Sequence, residues 1–248
     1  MSPRATTGVS NSAPVTIYLT RHGETMLNAL GRVQGWSDAP LTSKGRDVAS
    51  QLGTGLAAAG VTFDAAHAAD MIRHGETLAL ALEGLDFAGE VGRDARLREM
   101  AFGRFEGASN AEMWEAVAAE AAKANGGAAV DESAFDFKRG LEAMVRLNEG
   151  SGLVAETLAE VTDRAFAALT EIAENQLARG GGNVLVVSSG ITIMAAIGAM
   201  GADLEKATGG IGNAAVAELQ YSGGSWTVAT FNDLSYVEAG KAAAEAAA

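Results

Sequence analysis

Val15-Thr16-Ile17-Tyr18-Leu19 runs directly into Thr20-Arg21-His22-Gly23-Glu24-Thr25. The apolar run reads as a buried strand. A basic residue and an imidazole at its end read as chemistry delivered from the C-terminal edge of a sheet, where open α/β folds build their ligand sites. An Arg beside a His suits a phosphoryl group. The guanidinium grips oxygens through paired hydrogen bonds, and the imidazole can attack phosphorus and carry the group covalently.

The same alternation continues downstream. Thr42 is the expected N-cap of a helix that stops at Gly60. A strand over 63–68 follows, then a helix capped by Asp70 and ending near Gly84, and a short strand at Val91. Ser109-Asn110-Ala111-Glu112 and Thr157-Leu158-Ala159-Glu160 have the spacing of capping boxes. The first opens a helix that breaks at Asn125-Gly126-Gly127, and a helical stretch over 135–147 comes next. The second box opens a long helix ending at the Gly180-Gly181-Gly182 run. Val184-Leu185-Val186-Val187 is the clearest strand, leading through Ser188-Ser189-Gly190 into a helix from Ile191. Strands near 215–219 and 226–231 are close enough in sequence to pair. Strands alternating with helices imply an α/β three-layer sandwich: a mostly parallel central sheet with helices on both faces. The expected organisation is a tail over 1–13, one domain over 14–237 and a tail, or a frayed helix, over 238–248. Residues 108–155 carry helical signals without a convincing strand and read as a helical insertion, a lid over the sheet edge.

Composition narrows the partners. The 248 residues carry a formal net charge of −13, which argues against nucleic acid or an anionic membrane surface. A phosphate site must then be a local basic island, with Arg21 and Arg73 as candidates. Cysteine is absent and His numbers three, so no disulfide, thiolate or metal site is expected, and no cofactor. No apolar stretch is long enough to span a bilayer, and the first thirteen residues lack the apolar segment of a secretory signal. A cytoplasmic location is the expectation.

Arg-His-Gly-Glu-Thr occurs twice, at 21–25 and 73–77. Only the first copy follows a strand-like run. The second leads into Leu78-Ala79-Leu80-Ala81-Leu82, which is helical in character. His22 is therefore the expected nucleophile, and His74 a surface or packing residue.

From about residue 15 to 237 the chain resembles the histidine phosphatase superfamily, the phosphoglycerate-mutase-like family. Arg21-His22-Gly23-Glu24 with Asn28 resembles the nucleophile motif. Gln34-Gly35-Trp36 and Pro40-Leu41-Thr42-x-x-Gly45 resemble the loop and helix after it. Asp70-x-x-Arg73-x-x-x-Thr77 resembles the segment with the second phosphate-binding Arg, where position 74 is usually small. Leu97-Arg98-Glu99-x-x-Phe102-Gly103-x-x-Glu106-Gly107 resembles the segment carrying the acid, and Ser188-Ser189-Gly190 the last site segment. The separate matches occur in order, which makes the resemblance specific.

The resemblance implies a cofactor-independent phosphatase acting on a small phosphorylated substrate. His22 would form a phosphohistidine, and Arg21 and Arg73 would hold the non-bridging oxygens. Glu99, buried among apolar neighbours such as Met100 and Phe102, would protonate the leaving oxygen and then activate water. Asn28, Ser189 and the amide of Gly190 would complete the phosphate site. The family's usual second His is replaced by Ser189, whose own chemistry suits a helix N-cap. Ser189→His is therefore expected to raise turnover by roughly one to two orders of magnitude, given room for the ring. A non-catalytic relative that binds a phosphorylated ligand is the alternative. A phosphoglycerate mutase ranks third, because no Pro follows Pro40 and no extra basic segment follows the acid.

Overall fold

The computed structural model describes residues 13–124, 137–204 and 209–247. In chain order they form β1 (Val15–Arg21), α1 (Met26–Ala29), α2 (Ser43–Ala58), β2 (Ala65–Ala68), α3 (Ile72–Glu83), β3 (Glu90–Arg93), α4 (Asn110–Ala124), α5 (Phe137–Leu147), α6 (Leu158–Ala178), β4 (Gly182–Ser188), α7 (Gly190–Ala199), β5 (Val216–Ser222), β6 (Ser225–Asp233) and α8 (Ser235–Ala247). The strands make one six-stranded sheet in the order β3-β2-β4-β1-β5-β6. The four strands β1 to β4 run parallel, and β5 and β6 are antiparallel additions at one edge.

The register explains why the functional segments meet. Leu19 pairs with Val186 and Arg21 with Ser188, while Ala68 pairs with Val187 across β2 and β4. Three parallel strands therefore end level with one another, and the loops carrying His22, Asp70 and Ser189 leave from the same edge. The sheet is apolar on both faces, as parallel sheets covered by helices must be. Ile17, Leu19, Val184 and Val186 pack toward α6 and α7. Leu185 and Val187 pack with Leu52, Leu56 and Leu78 of α2 and α3. This is the α/β sandwich expected from the strand–helix alternation.

Local signals explain most boundaries. Thr42 caps α2 by accepting from the Gly45 amide at 3.0 Å. Thr157 and Glu160 close a reciprocal capping box on α6. The β5–β6 hairpin turns at Gly223 and Gly224, with φ of +58° and +79°, the left-handed pair that a tight hairpin requires.

One expectation changes and another narrows. Asp70 does not cap α3: Met71 is the N-cap without a side-chain bond, and the Asp70 carboxylate takes a bidentate pair from Arg98 at 2.6 Å on each oxygen. The segment 238–248, expected as a frayed helix or a tail, is helical through Ala247 as the rear of α8. It is ordered because glycines let two helices touch: a Cβ on Gly55 would meet the Tyr236 carbonyl, and one on Gly240 the Gln51 carbonyl. The N-terminal tail through residue 12, the break at 125–127 and the start of the 135–147 helix lie outside the described residues. Helices α4 and α5 fall within the segment 108–155 that was read as a helical insertion. Met113, Val117, Leu141 and Met144 pack with Met100, Phe102 and Phe105, so the insertion sits on the segment that carries Glu99.

Candidate active site

His22 stands one residue beyond β1, its ring 3% exposed. Its amide donates to the Ser188 carbonyl at 3.0 Å, and its own carbonyl accepts from Asn213 at 2.8 Å. The ring Nδ1 lies 2.8 Å from the Gly23 carbonyl oxygen. A carbonyl only accepts, so Nδ1 carries the proton and Nε2 keeps its lone pair. Burial, reinforced by the charges of Arg73 and Arg21, holds this imidazole well below the ordinary His range. It is neutral at neutral pH, which a nucleophile requires. Gly23 is dictated by close approach: a Cβ there would meet the Gly45 carbonyl, and one on Gly45 the Glu24 carbonyl.

Arg21 and Arg73 both act electrostatically on His22. Arg21 Nη1 donates to the Ile211 carbonyl at 2.6 Å. Arg73 is fully buried; its Nη1 donates to the Ser37 carbonyl and Asp38 Oδ1, both at 3.1 Å, and its Nη2 to the Gly35 carbonyl at 2.7 Å. Burial lowers the pKa of both groups, while the Glu99 charge acts in the opposite direction on each. The buried side-chain polar atoms without a partner among the described residues are Arg21 Nε, Gln34 Nε2, Arg73 Nε and His74 Nδ1. A buried donor left unpaired costs about 1–3 kcal/mol, so each of these atoms calls for an explanation.

Glu99 is 7% exposed, but its immediate surroundings are polar rather than apolar. Oε2 accepts from the Ile191 amide at 3.1 Å, and Oε1 from the Met100 and Thr192 amides at 2.9 and 3.2 Å. The carboxyl group thus caps α7, satisfying amides that a helix N-terminus leaves open. A Cβ placed on Gly190 would lie 3.8 Å from Arg21 Nε and 3.9 Å from Glu99 Oε2. Gly190 therefore lies close to both the acid and the first guanidinium.

Ser189 occupies the N-cap position of α7 yet makes no capping bond. Its hydroxyl lies 2.7 Å from His74 Nε2. Of the two expectations for His74, surface or packing, the surface one fails: it is fully buried, and its ring and the His22 ring meet in a T-shaped contact at a centroid distance of 5.3 Å. The helical context of His74 holds, and α3 begins at Ile72. Position 74 lies in the first turn, which abuts the strand ends. Asn28 caps α1, its Oδ1 accepting from the Thr25 amide at 3.3 Å.

Several supporting residues were given no role by the sequence reading, although Glu106 and Thr77 stand in the motifs quoted above. Glu106 accepts from the amides of Gly35, Trp36, Ser37 and Phe102 at 2.8–3.1 Å and pins the loop that Arg73 grips. Arg164 pairs with Glu156 at 2.7 Å and donates to the Arg96, Arg98 and Glu99 carbonyls. Thr77 accepts from the Gly23 amide at 2.9 Å. Each acts largely on backbone, so motif spacing marks Glu106 and Thr77 without showing what they hold, and Arg164 carries no such mark.

Known proteins show the same architecture. "Probable phosphoglycerate mutase GpmB" of Salmonella paratyphi A is 28% identical over 90% of this chain and 95% of its own length. Its namesake from Citrobacter koseri aligns at 39% identity over 36% of this chain and 40% of that protein. The crystal structure of phosphoglycerate mutase from Bacillus anthracis str. Sterne superimposes with a TM-score of 0.82 at 36% identity, covering 94% of this chain and 99% of that one. A family model described as histidine phosphatase superfamily (branch 1) matches residues 17–234. With a neutral buried His flanked by two arginines at the strand ends, and this match over most of its length, the chain belongs to the histidine phosphatase superfamily.

Proposed function

We propose that the protein hydrolyses a small phosphomonoester through a phosphohistidine on His22. One observation carries the reading: His22 is neutral, has its tautomer set by the Gly23 carbonyl, and feels the charges of buried Arg73 and half-buried Arg21, each of which retains a buried, unpaired Nε.

In the first step His22 Nε2 attacks phosphorus, forming the P–N bond as the ester P–O bond breaks. The bond pair leaves on the ester oxygen, which takes a proton from Glu99. In the second step the Glu99 carboxylate removes a proton from water, the hydroxide attacks phosphorus and the P–N bond returns its pair to His22. Arg21 Nε, Arg73 Nε and the Gly190 amide hold the non-bridging oxygens, and the Ser189 hydroxyl donates to one of them. Asn28 spends its carbonyl oxygen on the α1 cap, leaving its amide group for the phosphate. The negative surface makes this a local basic pocket, selective for small esters rather than polyanions.

A second reading is isomerisation of phosphoglycerate, favoured by the names of the full-length relatives. In that case the phosphohistidine returns its group to the other hydroxyl of the same glycerate. Both readings pass through His22. Acid-quenched incubation with labelled phosphomonoesters is expected to leave label on wild type and none on His22→Ala, whose turnover falls at least ~10³-fold. Release of inorganic phosphate from 3-phosphoglycerate or other esters supports the hydrolase, and formation of 2-phosphoglycerate without release supports the mutase. Phosphate binding without any label on His22 means a ligand-binding relative.

A further inference from the structure

We propose that His74 is a positioning residue of the phosphoryl site, acting through Ser189: its Nε2–H donates to Ser189 Oγ and turns the Ser189 hydroxyl proton toward the transferring phosphoryl group. The inference rests on the phosphoryl-transfer reading above and gives a role to a buried imidazole which that chemistry leaves idle.

Four observations converge. His74 and Ser189 are both fully buried, and their polar atoms are 2.7 Å apart. Ser189 stands where a Ser hydroxyl ordinarily caps its own helix, but it makes no such bond. The cap is supplied by Glu99 instead, which frees the hydroxyl for another task. The His74 ring edge contacts His22, so the pair adjoins the nucleophile. Finally, His74 Nδ1 has no partner among the described residues. A ring kept only for packing would be replaced without loss by an apolar side chain, which would avoid the cost of a buried unpaired nitrogen.

The physical effect is orientation. A lone Ser hydroxyl rotates among three staggered positions and can donate in any of them. With Nε2–H occupying one Oγ lone pair, the hydroxyl proton is directed away from His74. The Ser189 backbone leads directly into Gly190, whose Cα neighbourhood holds Arg21 Nε and Glu99. A donor oriented before the reaction stabilises developing charge without reorganisation at the moment of transfer. No covalent change occurs at either residue.

A double-mutant cycle tests this on the full chain, with p-nitrophenyl phosphate as ester and orthovanadate as a ligand that needs no turnover. His74→Ala and Ser189→Ala are each expected to lower kcat by ~10²-fold with KM changed far less, and the double variant to be no worse than either alone. His74→Gln, which can present an N–H near the Nε2 position, is expected to regain at least ~10-fold over His74→Ala at equal melting temperature. Vanadate affinity should follow the same order. Additive losses would overturn the proposal, since they mean that His74 does not act through Ser189. Unchanged kcat and vanadate affinity in a folded His74→Ala would overturn it as well, even if melting temperature fell. Wild type that turns over no ester sinks the hydrolase reading instead. The vanadate arm then still decides the His74–Ser189 pair: weaker binding by either single variant without further loss in the double upholds it, and equal binding removes it.

Discussion

His74 and Ser189 show how a single contact reverses an expectation. Read alone, Ser189 marks a missing imidazole and invites its restoration by Ser189→His. In the structure the imidazole is already present, delivered from α3, and the two side chains fill one another's space with no exposure. Ser189→His is now expected to lower kcat and melting temperature, because a second ring must displace His74; overpacking of this kind costs about 1–3 kcal/mol. The exchange variant, His74→Ser combined with Ser189→His, vacates the volume the new ring needs. Its melting temperature is expected to return most of the way to wild type. A Ser189→His protein that melts and turns over as wild type does would show that the pocket has room to spare.

At the scale of elements, the site depends on loops that have no regular backbone partners. Residues 34–38 lie between α1 and α2 and are held by one carboxylate and one guanidinium. Glu106 takes the amides of Gly35, Trp36 and Ser37, while Arg73 takes the carbonyls of Gly35 and Ser37. Arg73 is thereby fixed by the loop it fixes. Trp36 extends the arrangement, its indole donating to the Glu99 carbonyl at 3.1 Å with the Arg98 guanidinium 5.1 Å above its ring. Glu106→Ala removes the acceptor for all those amides. The expected loss is on the order of 2–4 kcal/mol, or roughly 2–4 °C of Tm per kcal/mol for a chain of this size. Trp36 fluorescence should report loosening before the global transition in a urea titration. A single transition with an unchanged midpoint would show that the loop is held by other contacts.

The whole molecule stores pH sensitivity in its buried imidazoles. An unfolded His takes its proton near pH 6.5. Burial, reinforced by Arg73, keeps folded His22 and His74 neutral well below that. Between the two values the unfolded chain binds more protons, so stability falls as pH drops through about 6.5, by up to ~1.4 kcal/mol per pH unit for each ring. The salt-bridged carboxylates act later. Hydrogen bonds from Arg98 lower Asp70, and those from Arg96 outweigh burial at Asp94; their stabilisation is lost only in the acid range below about 4. Urea midpoints measured from pH 8 to 5 should therefore decline before any carboxylate titrates. Replacing His22 and His74 together by Gln should flatten that decline. A slope unaltered by the double replacement would place the sensitivity elsewhere.

The local pattern of the chain was enough to reveal the alternation of strands and helices, the capping at Thr42 and Thr157, and the Arg21-His22 pair at a strand end. Those are short-range properties: apolar runs, cap geometry and turn residues act within a few positions of one another. Asp70, Glu106, Arg164 and His74 were settled by partners that the fold brings from far along the chain. The His74–Ser189 bond spans 115 residues and the Glu99–Ile191 bond 92. Such pairs form because three parallel strands end level and direct their loops to one place, a consequence of sheet register. Sequence spacing records which groups are available. Which of them share a proton depends on distances of about 3 Å, and only packing sets those.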